Sequence, residues 1–212
     1  MTIFVTLTLA AVAALLLAEY VGSTAGVWVC KPLASTGFIA TALAAGALDT
    51  TYGTVVVLGL LLSWLGDVLL IPRGAPAVFQ AGVLSFLLGH VAFASAFVAR
   101  GVSVAATLAA AVVAATVGVV IFRWLQPHVP DGLRAAAYAY MLVISVMVVA
   151  AAGTVAAAGN AAIMIGAVAF YLSDVSVARD RFVDHAFINR LWGLPLYYAA
   201  QLVLAFSVRA DS

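Results

Sequence analysis

Two aspartates interrupt stretches otherwise apolar enough to lie in lipid: Asp67 in LLSWLGDVLLI and Asp174 in AFYLSDVSV. An ionised side chain near the bilayer centre costs at least a few kcal/mol, so such residues face a bundle interior or a water-filled cavity and mark functional sites. Other polar groups fall in comparable places. Glu19 closes the first apolar run, and Lys31 opens the second, followed by Pro32 at a position that suits the first turn of a helix. His90 lies in FLLGHVAFASAF, Tyr138 and Tyr140 begin the sixth run, and PLYYAAQLVL carries Tyr197, Tyr198 and Gln201. Gathered in one pocket, these groups would move protons. Desolvation favours the protonated carboxyl and a nearby ammonium favours the carboxylate, so two aspartates with unequal access to Lys31 would divide into acid and base, as carboxylate pairs do around cation-like transition states. Lysine at a helix N-terminus opposes the macrodipole, and the carboxylates available to compensate it are Glu19, Asp67 and Asp174.

Each residue also has a plainer reading. A carboxylate near a helix end can reach the headgroups, a histidine among Phe86, Phe93 and Phe97 can be a packing residue, and Tyr197 and Tyr198 can belong to an interfacial aromatic belt. Arg179, Asp180, Arg181, Asp184 and His185 read as a solvated loop without chemistry. Cys30, the single cysteine, reads as a small apolar filler.

These residues need helices to position them. Of 212 residues, 67% are hydrophobic and 8% charged, and the mean hydropathy is +1.22, whereas soluble domains carry about a quarter charged residues. The chain reads as an integral membrane protein with one transmembrane domain over residues 1–212 and no soluble domain. A net charge of +1 speaks against a nucleic-acid partner. Apolar runs separated by Gly, Pro and charged breakers predict an all-α bundle of eight helices, near 2–20, 31–47, 54–71, 77–99, 102–122, 134–152, 160–177 and 192–208. The first run lacks a basic leader segment and reads as a retained span. Eight spans place both termini on one side with Arg100 and Arg209, while Lys31, Arg73, Arg123, Arg134, Arg179, Arg181 and Arg190 fall on the other. By the positive-inside rule the termini face outward. The excess of Arg over Lys and the abundance of Ala, Val and Gly suggest a bacterial cytoplasmic membrane. A shift of 107 residues lays SWLGDVLL on FYLSDVSV, Gly46 on Gly153 and Gly59 on Gly166. A tandem duplication of four helices would make the halves parallel, with Asp67 and Asp174 at equal depth.

No GxxxxGK[ST], HExxH, GxSxG or GxGxxG is present, which removes the common nucleotidase, zincin and serine-hydrolase readings. Three chemical readings stay open: an acid-base hydrolase, a variant in which His90, Asp67 and Asp174 ligate zinc, and a proton-coupled transporter using the same carboxylates. A purely structural membrane protein would not need so many polar groups at one depth.

Five motifs in order, KPLAS (31–35), SWLGDVLLI (63–71), FLLGHVAF (86–93), GAVAFYLSD (166–174) and PLYYAAQ (195–201), resemble the YhhN-like lysoplasmalogenase family of polytopic membrane proteins across essentially the whole chain. The resemblance implies an enzyme that hydrolyses the vinyl ether bond of lysoplasmalogen, or of a related lysolipid, to a fatty aldehyde and glycerophospho-ethanolamine or -choline. It implies the paired acids at Asp67 and Asp174 as catalytic, with Lys31, His90, Tyr197, Tyr198 and Gln201 supporting. Its partners are a lysophospholipid substrate and the bilayer, and the route demands neither cofactor nor metal. Neither the oligomeric state nor the assignment of acid and base is readable from the sequence.

Overall fold

The computed structural model describes residues 1–72 and 74–209. Arg73, one of the cations counted for topology, lies outside the described residues. Eight α-helices follow one another: α1 (Thr2–Tyr20), α2 (Thr24–Ala44), α3 (Thr51–Leu69), α4 (Pro76–Ala99), α5 (Val104–Leu125), α6 (Asp131–Ala158), α7 (Ala161–Ala178) and α8 (Phe187–Phe206). All but α8 are long and apolar enough to cross a membrane. Asn189, Arg190 and Gln201 dilute α8, yet it runs the full height of its neighbours. At one end the Asn160 side chain, the N-cap of α7, donates to the Ser207 carbonyl, and the Tyr52 hydroxyl of α3 bonds Ser207 Oγ at 2.6 Å. At the opposite end Arg190 of α8 reaches Glu19 of α1 at 2.9 Å. The bundle is therefore antiparallel between consecutive helices.

In lipid, backbone groups must be satisfied within the chain, and helix starts here are served by side-chain caps. Ser23, Thr50, Ser103 and Asn160 accept from Gly26, Gly53, Ala106 and Ala162 N–H respectively. The Ser23 cap corrects the expected start of α2. The helix begins seven residues before Lys31, and Pro32 sits inside it, because a membrane helix tolerates an internal proline when neighbours support the freed groups. Lys31 consequently does not face the positive end of a dipole. Similarly, α8 starts at Phe187 rather than 192, the residues Arg179–Val183 form a wide π-turn, and α6 extends over 28 residues.

The helix pairings repeat. α3 packs on α4 and α7 on α8; α1 on α2 and α5 on α6; α2 on α3 and α6 on α7; α2 on α8 and α6 on α4. Each statement becomes its partner when four is added to every helix number cyclically. This is the pattern of two parallel four-helix repeats about an axis along the bundle. Glycines matched by the repeat sit at close helix contacts: a Cβ at Gly59 would lie 2.7 Å from the Phe93 ring of α4, and one at Gly166 2.6 Å from Leu204 of α8.

Candidate active site

The two aspartates occupy equivalent places on α3 and α7 but sit in different hydrogen-bond environments. Asp67 is enclosed by donors from two helices. Lys31 and Ser35, one turn apart on a single face of α2, approach it with Nζ 3.3 Å from Oδ1 and Oγ 2.6 Å from Oδ2. From α8 the Tyr197 hydroxyl donates to Oδ2 at 2.7 Å. The Ser35 hydroxyl also lies 3.2 Å from the Tyr198 hydroxyl. A serine has one proton to give, so when Ser35 donates to Asp67 the Tyr198 hydroxyl is free to donate to Ser35 Oγ or to the Lys31 carbonyl 3.3 Å away. An ammonium and two hydroxyls converging on one carboxyl is the donor set that suits an ionised carboxylate.

Asp174 has two partners of another kind. The Tyr140 hydroxyl of α6 donates to its Oδ2 at 3.0 Å, and His90 Nε2 of α4 lies 3.3 Å from the same oxygen. At the other ring nitrogen, Nδ1 is 2.7 Å from the Phe86 carbonyl, a group that can only accept, so Nδ1 carries a hydrogen. Nε2 stands within ion-pair range of Asp174 but makes no hydrogen bond.

An aromatic layer lies between the two networks. Phe86, Phe170 and Tyr197 contact one another edge-on, with ring centroids 6.4, 5.8 and 5.4 Å apart, and Phe170 lies 4.3 Å from the His90 ring. Gly66, immediately before Asp67, makes room for this layer: a Cβ there would be 2.6 Å from the Phe86 ring. No hydrogen bond joins the two carboxyls among the described residues. The repeat explains the arrangement. The 107-residue shift that carries Asp67 to Asp174 carries His90 to Tyr197, so each aspartate receives the corresponding side chain from the other half.

Of the predicted site residues, Lys31, Tyr197 and Tyr198 gather around Asp67, and His90 gathers with Asp174. Three do not join as expected. Tyr138 stacks on Phe122, centroids 4.7 Å apart, with its hydroxyl unbonded; the phenol on Asp174 is Tyr140, two residues on and facing the other way. Glu19 belongs to a charged cluster at the helix ends, bonded to Arg190, which also approaches Asp180 at 3.4 Å. Asp67 is the carboxylate paired with Lys31, not Glu19. Gln201 is fully buried one turn after Tyr197, and neither amide atom makes a hydrogen bond. The loop read as solvated is instead ordered by buried Asn189, which bonds Arg179, the Asp184 carbonyl and Asp180. Ser35 was not anticipated, although its position four residues after Lys31 was a usable signal. Among the described residues no three His, Cys, Asp or Glu side chains are grouped to hold a metal ion, so Asp67, Asp174 and His90 do not form the three-ligand set of the zinc alternative.

An all-helical fold with seven helices long and apolar enough to cross a membrane, and with one buried and one partly buried aspartate in halves that pack alike, defines the class. Within it, the sequence pattern of the YhhN family matches residues 26–208, and the chain belongs to that family. The Bos taurus protein named Lysoplasmalogenase TMEM86A is 28% identical over 160 residues, which cover 73% of this chain and 65% of that relative. The match thus spans less than two thirds of the relative's length. No solved structure matches the chain.

Proposed function

We propose that the protein is a membrane-embedded hydrolase that cleaves the vinyl ether bond of lysoplasmalogen or a related single-chain lysolipid, with Asp174 as the acid and Asp67 as a fixed anion. The name of the bovine relative supports the substrate class. The observation that carries the division of roles is the difference in donors: three converge on Asp67, whereas Asp174 has the Tyr140 hydroxyl as donor, with His90 Nε2 3.3 Å away.

Vinyl ether cleavage begins when the alkene carbon distal to the ether oxygen takes a proton. Asp174 supplies it, and the His90 imidazole 3.3 Å away stands in reach to return one. The oxygen lone pair then stabilises an oxocarbenium ion, water adds to the oxygen-bearing carbon, and the water's extra proton passes to the Asp174 carboxylate. The hemiacetal collapses with C–O cleavage, the leaving oxygen taking a proton as the hydroxyl gives one up, to give aldehyde and alcohol. The aromatic faces of Phe170 and Tyr197 and the Asp67 carboxylate oppose the developing positive charge. Asp67 also fixes Tyr197 through its hydroxyl.

Purified protein should release aldehyde from lysoplasmalogen, and Asp174→Asn and Asp67→Asn should each lower kcat by at least about 100-fold, the range of a positioned acid, with folding retained. Full activity in either variant would overturn the two-carboxylate mechanism. The transporter alternative draws on the same carboxylates and the repeat; proton flux in liposomes coupled to a solute, without aldehyde release, would favour it instead.

A further inference from the structure

The two halves of the bundle differ at one place, where the second half is left with an apolar groove one helical turn from the partners of Asp174. In the first half α1 lies along the junction of α2 and α8, packing on both. It buries Thr8, Ala11, Val12, Leu15 and Ala18 there, and a Cβ at Gly37 of α2 would collide with Thr8. The Asp67 network, built from α2, α3 and α8, is sealed behind it. The repeat counterpart of α1 is α5, and the counterpart of the α2–α8 junction is the α6–α4 junction. α5 packs along α6 without the corresponding packing on α4, and Leu125, at its very end, is its one buried residue.

What α5 leaves uncovered is an apolar groove of about 580 Å³ between α4 and α6, lined by Val91, Ala94, Val98, Leu142, Val146 and Ala150 among others. That volume is within the range of small-molecule sites, roughly 300–1,000 Å³. The groove starts one helical turn from the site: Ala94 lies four residues after His90 on α4, and Val143 three after Tyr140 on α6. Its lining runs from Val91 to Ala99, eight residues along α4, or about 12 Å at the helical rise. The exposure of the two acids agrees with one sealed and one open half, since the Asp174 side chain is 17% accessible and that of Asp67 3%.

We infer that the α4–α6 groove is the lateral portal and chain-binding site for a single-chain lipid, whose aliphatic tail lies between Val91 and Ala150 while its polar end reaches Asp174 and His90. The identity of the occupant rests on the lysolipid reading above; the opening itself rests on the broken symmetry. A single tail suits a groove of this volume that is lined by apolar side chains except for Ser95, and an occupant arriving through the bilayer would meet it.

The test uses the full chain in nanodiscs. An alkyl-ether lysophospholipid bearing a diazirine in its tail, which is not a vinyl ether and is not cleaved, is photoactivated, and the labelled residues are mapped by mass spectrometry. Labelling should concentrate on 91–99 and 142–150, be displaced by excess unlabelled alkyl-ether lysolipid but not by two-chain phosphatidylcholine, and fall at least fivefold in Ala94→Phe and Val143→Trp. Val112→Trp on the exposed face of α5 should leave it unchanged. In aldehyde release, Ala94→Phe should lower kcat/KM about tenfold for long-chain lysoplasmalogen and less than threefold for a short-chain one. Labelling spread evenly over lipid-facing helices, or displaced equally by two-chain lipid, would overturn the portal, as would unchanged labelling and chain-length preference in both groove-filling variants. Competed groove labelling without aldehyde release would keep the portal and overturn the hydrolase reading.

Discussion

Replacing Lys31 by Met tests how the buried charge of Asp67 is held. The substitution leaves a carboxylate that is 3% accessible with two neutral donors, Ser35 and Tyr197. Removing one partner of a buried ion pair costs about 3–5 kcal/mol, because the remaining charge stays desolvated. The reverse change, Asp67→Asn, is milder: Lys31 is 13% accessible and has a long stem to carry its ammonium outward, so its cost is about 1–3 kcal/mol, the worth of a hydrogen bond to a charged group. With both changes no charge remains, and Ser35 and Tyr197 can still donate to the side-chain carbonyl of the introduced asparagine. The double variant should therefore be more stable than Lys31→Met alone, and the cycle should show a coupling of about 2–4 kcal/mol, large for neighbouring residues. Thermal unfolding in detergent followed by tryptophan fluorescence should place Lys31→Met roughly 10 °C below the unsubstituted protein, at about 2–4 °C per kcal/mol for a chain of this size. Costs that simply add, or a Lys31→Met protein as stable as a lipid-facing control such as Leu61→Met, would refute the ion pair as the support of Asp67.

Two further outcomes follow from the geometry. Tyr140→Phe removes the hydroxyl on Asp174 and should lower kcat for aldehyde release about 10- to 100-fold with KM little changed, while Tyr138→Phe, whose hydroxyl is unbonded, should be indistinguishable from the unsubstituted protein in the same assay. Gly66→Ala places a methyl 2.6 Å from the Phe86 ring and should lower stability by about 1–3 kcal/mol, as overpacking does; pairing it with Phe86→Leu should recover part of that loss in thermal melts.

Much of the scaffold was legible because lipid imposes a coarse rule. Eight apolar runs, their count and the depth of Asp67 and Asp174 all follow from where charges interrupt hydrophobic sequence. The errors share a cause, which is that the same residue types serve more than one purpose. Pro32 read as a first-turn proline, whereas the cap is Ser23 and the helix passes through the proline. RDRFVDHAFINR read as loop because it is charged, although its charges bond one another around buried Asn189 and allow α8 to start at Phe187. Tyr138 and Tyr140 lie two residues apart, about 200° around a helix. Only the facing of α6 toward α4 and α7 shows which phenol meets Asp174. Ser35 was hidden because serines in apolar helices usually satisfy themselves on the carbonyl four residues back. Ser35 lies 3.0 Å from that carbonyl and still reaches Asp67.

The duplication turns these details into a division of labour. A symmetric pair of half-bundles would give two identical carboxyls, and identical acids cannot hold opposite roles. Here the position that reaches across to the other half's aspartate is a phenol in one case and an imidazole in the other. Tyr197 serves Asp67 as a hydrogen-bond donor. His90, committed at Nδ1 to the Phe86 carbonyl, has Nε2 left toward Asp174 at 3.3 Å. The covering helices differ as well: α1 packs over the Asp67 half, and α5 stands away from α4 in the Asp174 half. In the mechanism we propose, the carboxyl that gives the proton is therefore the one on the open side that a lipid tail would approach, and the carboxyl held by an ammonium and two hydroxyls lies behind α1.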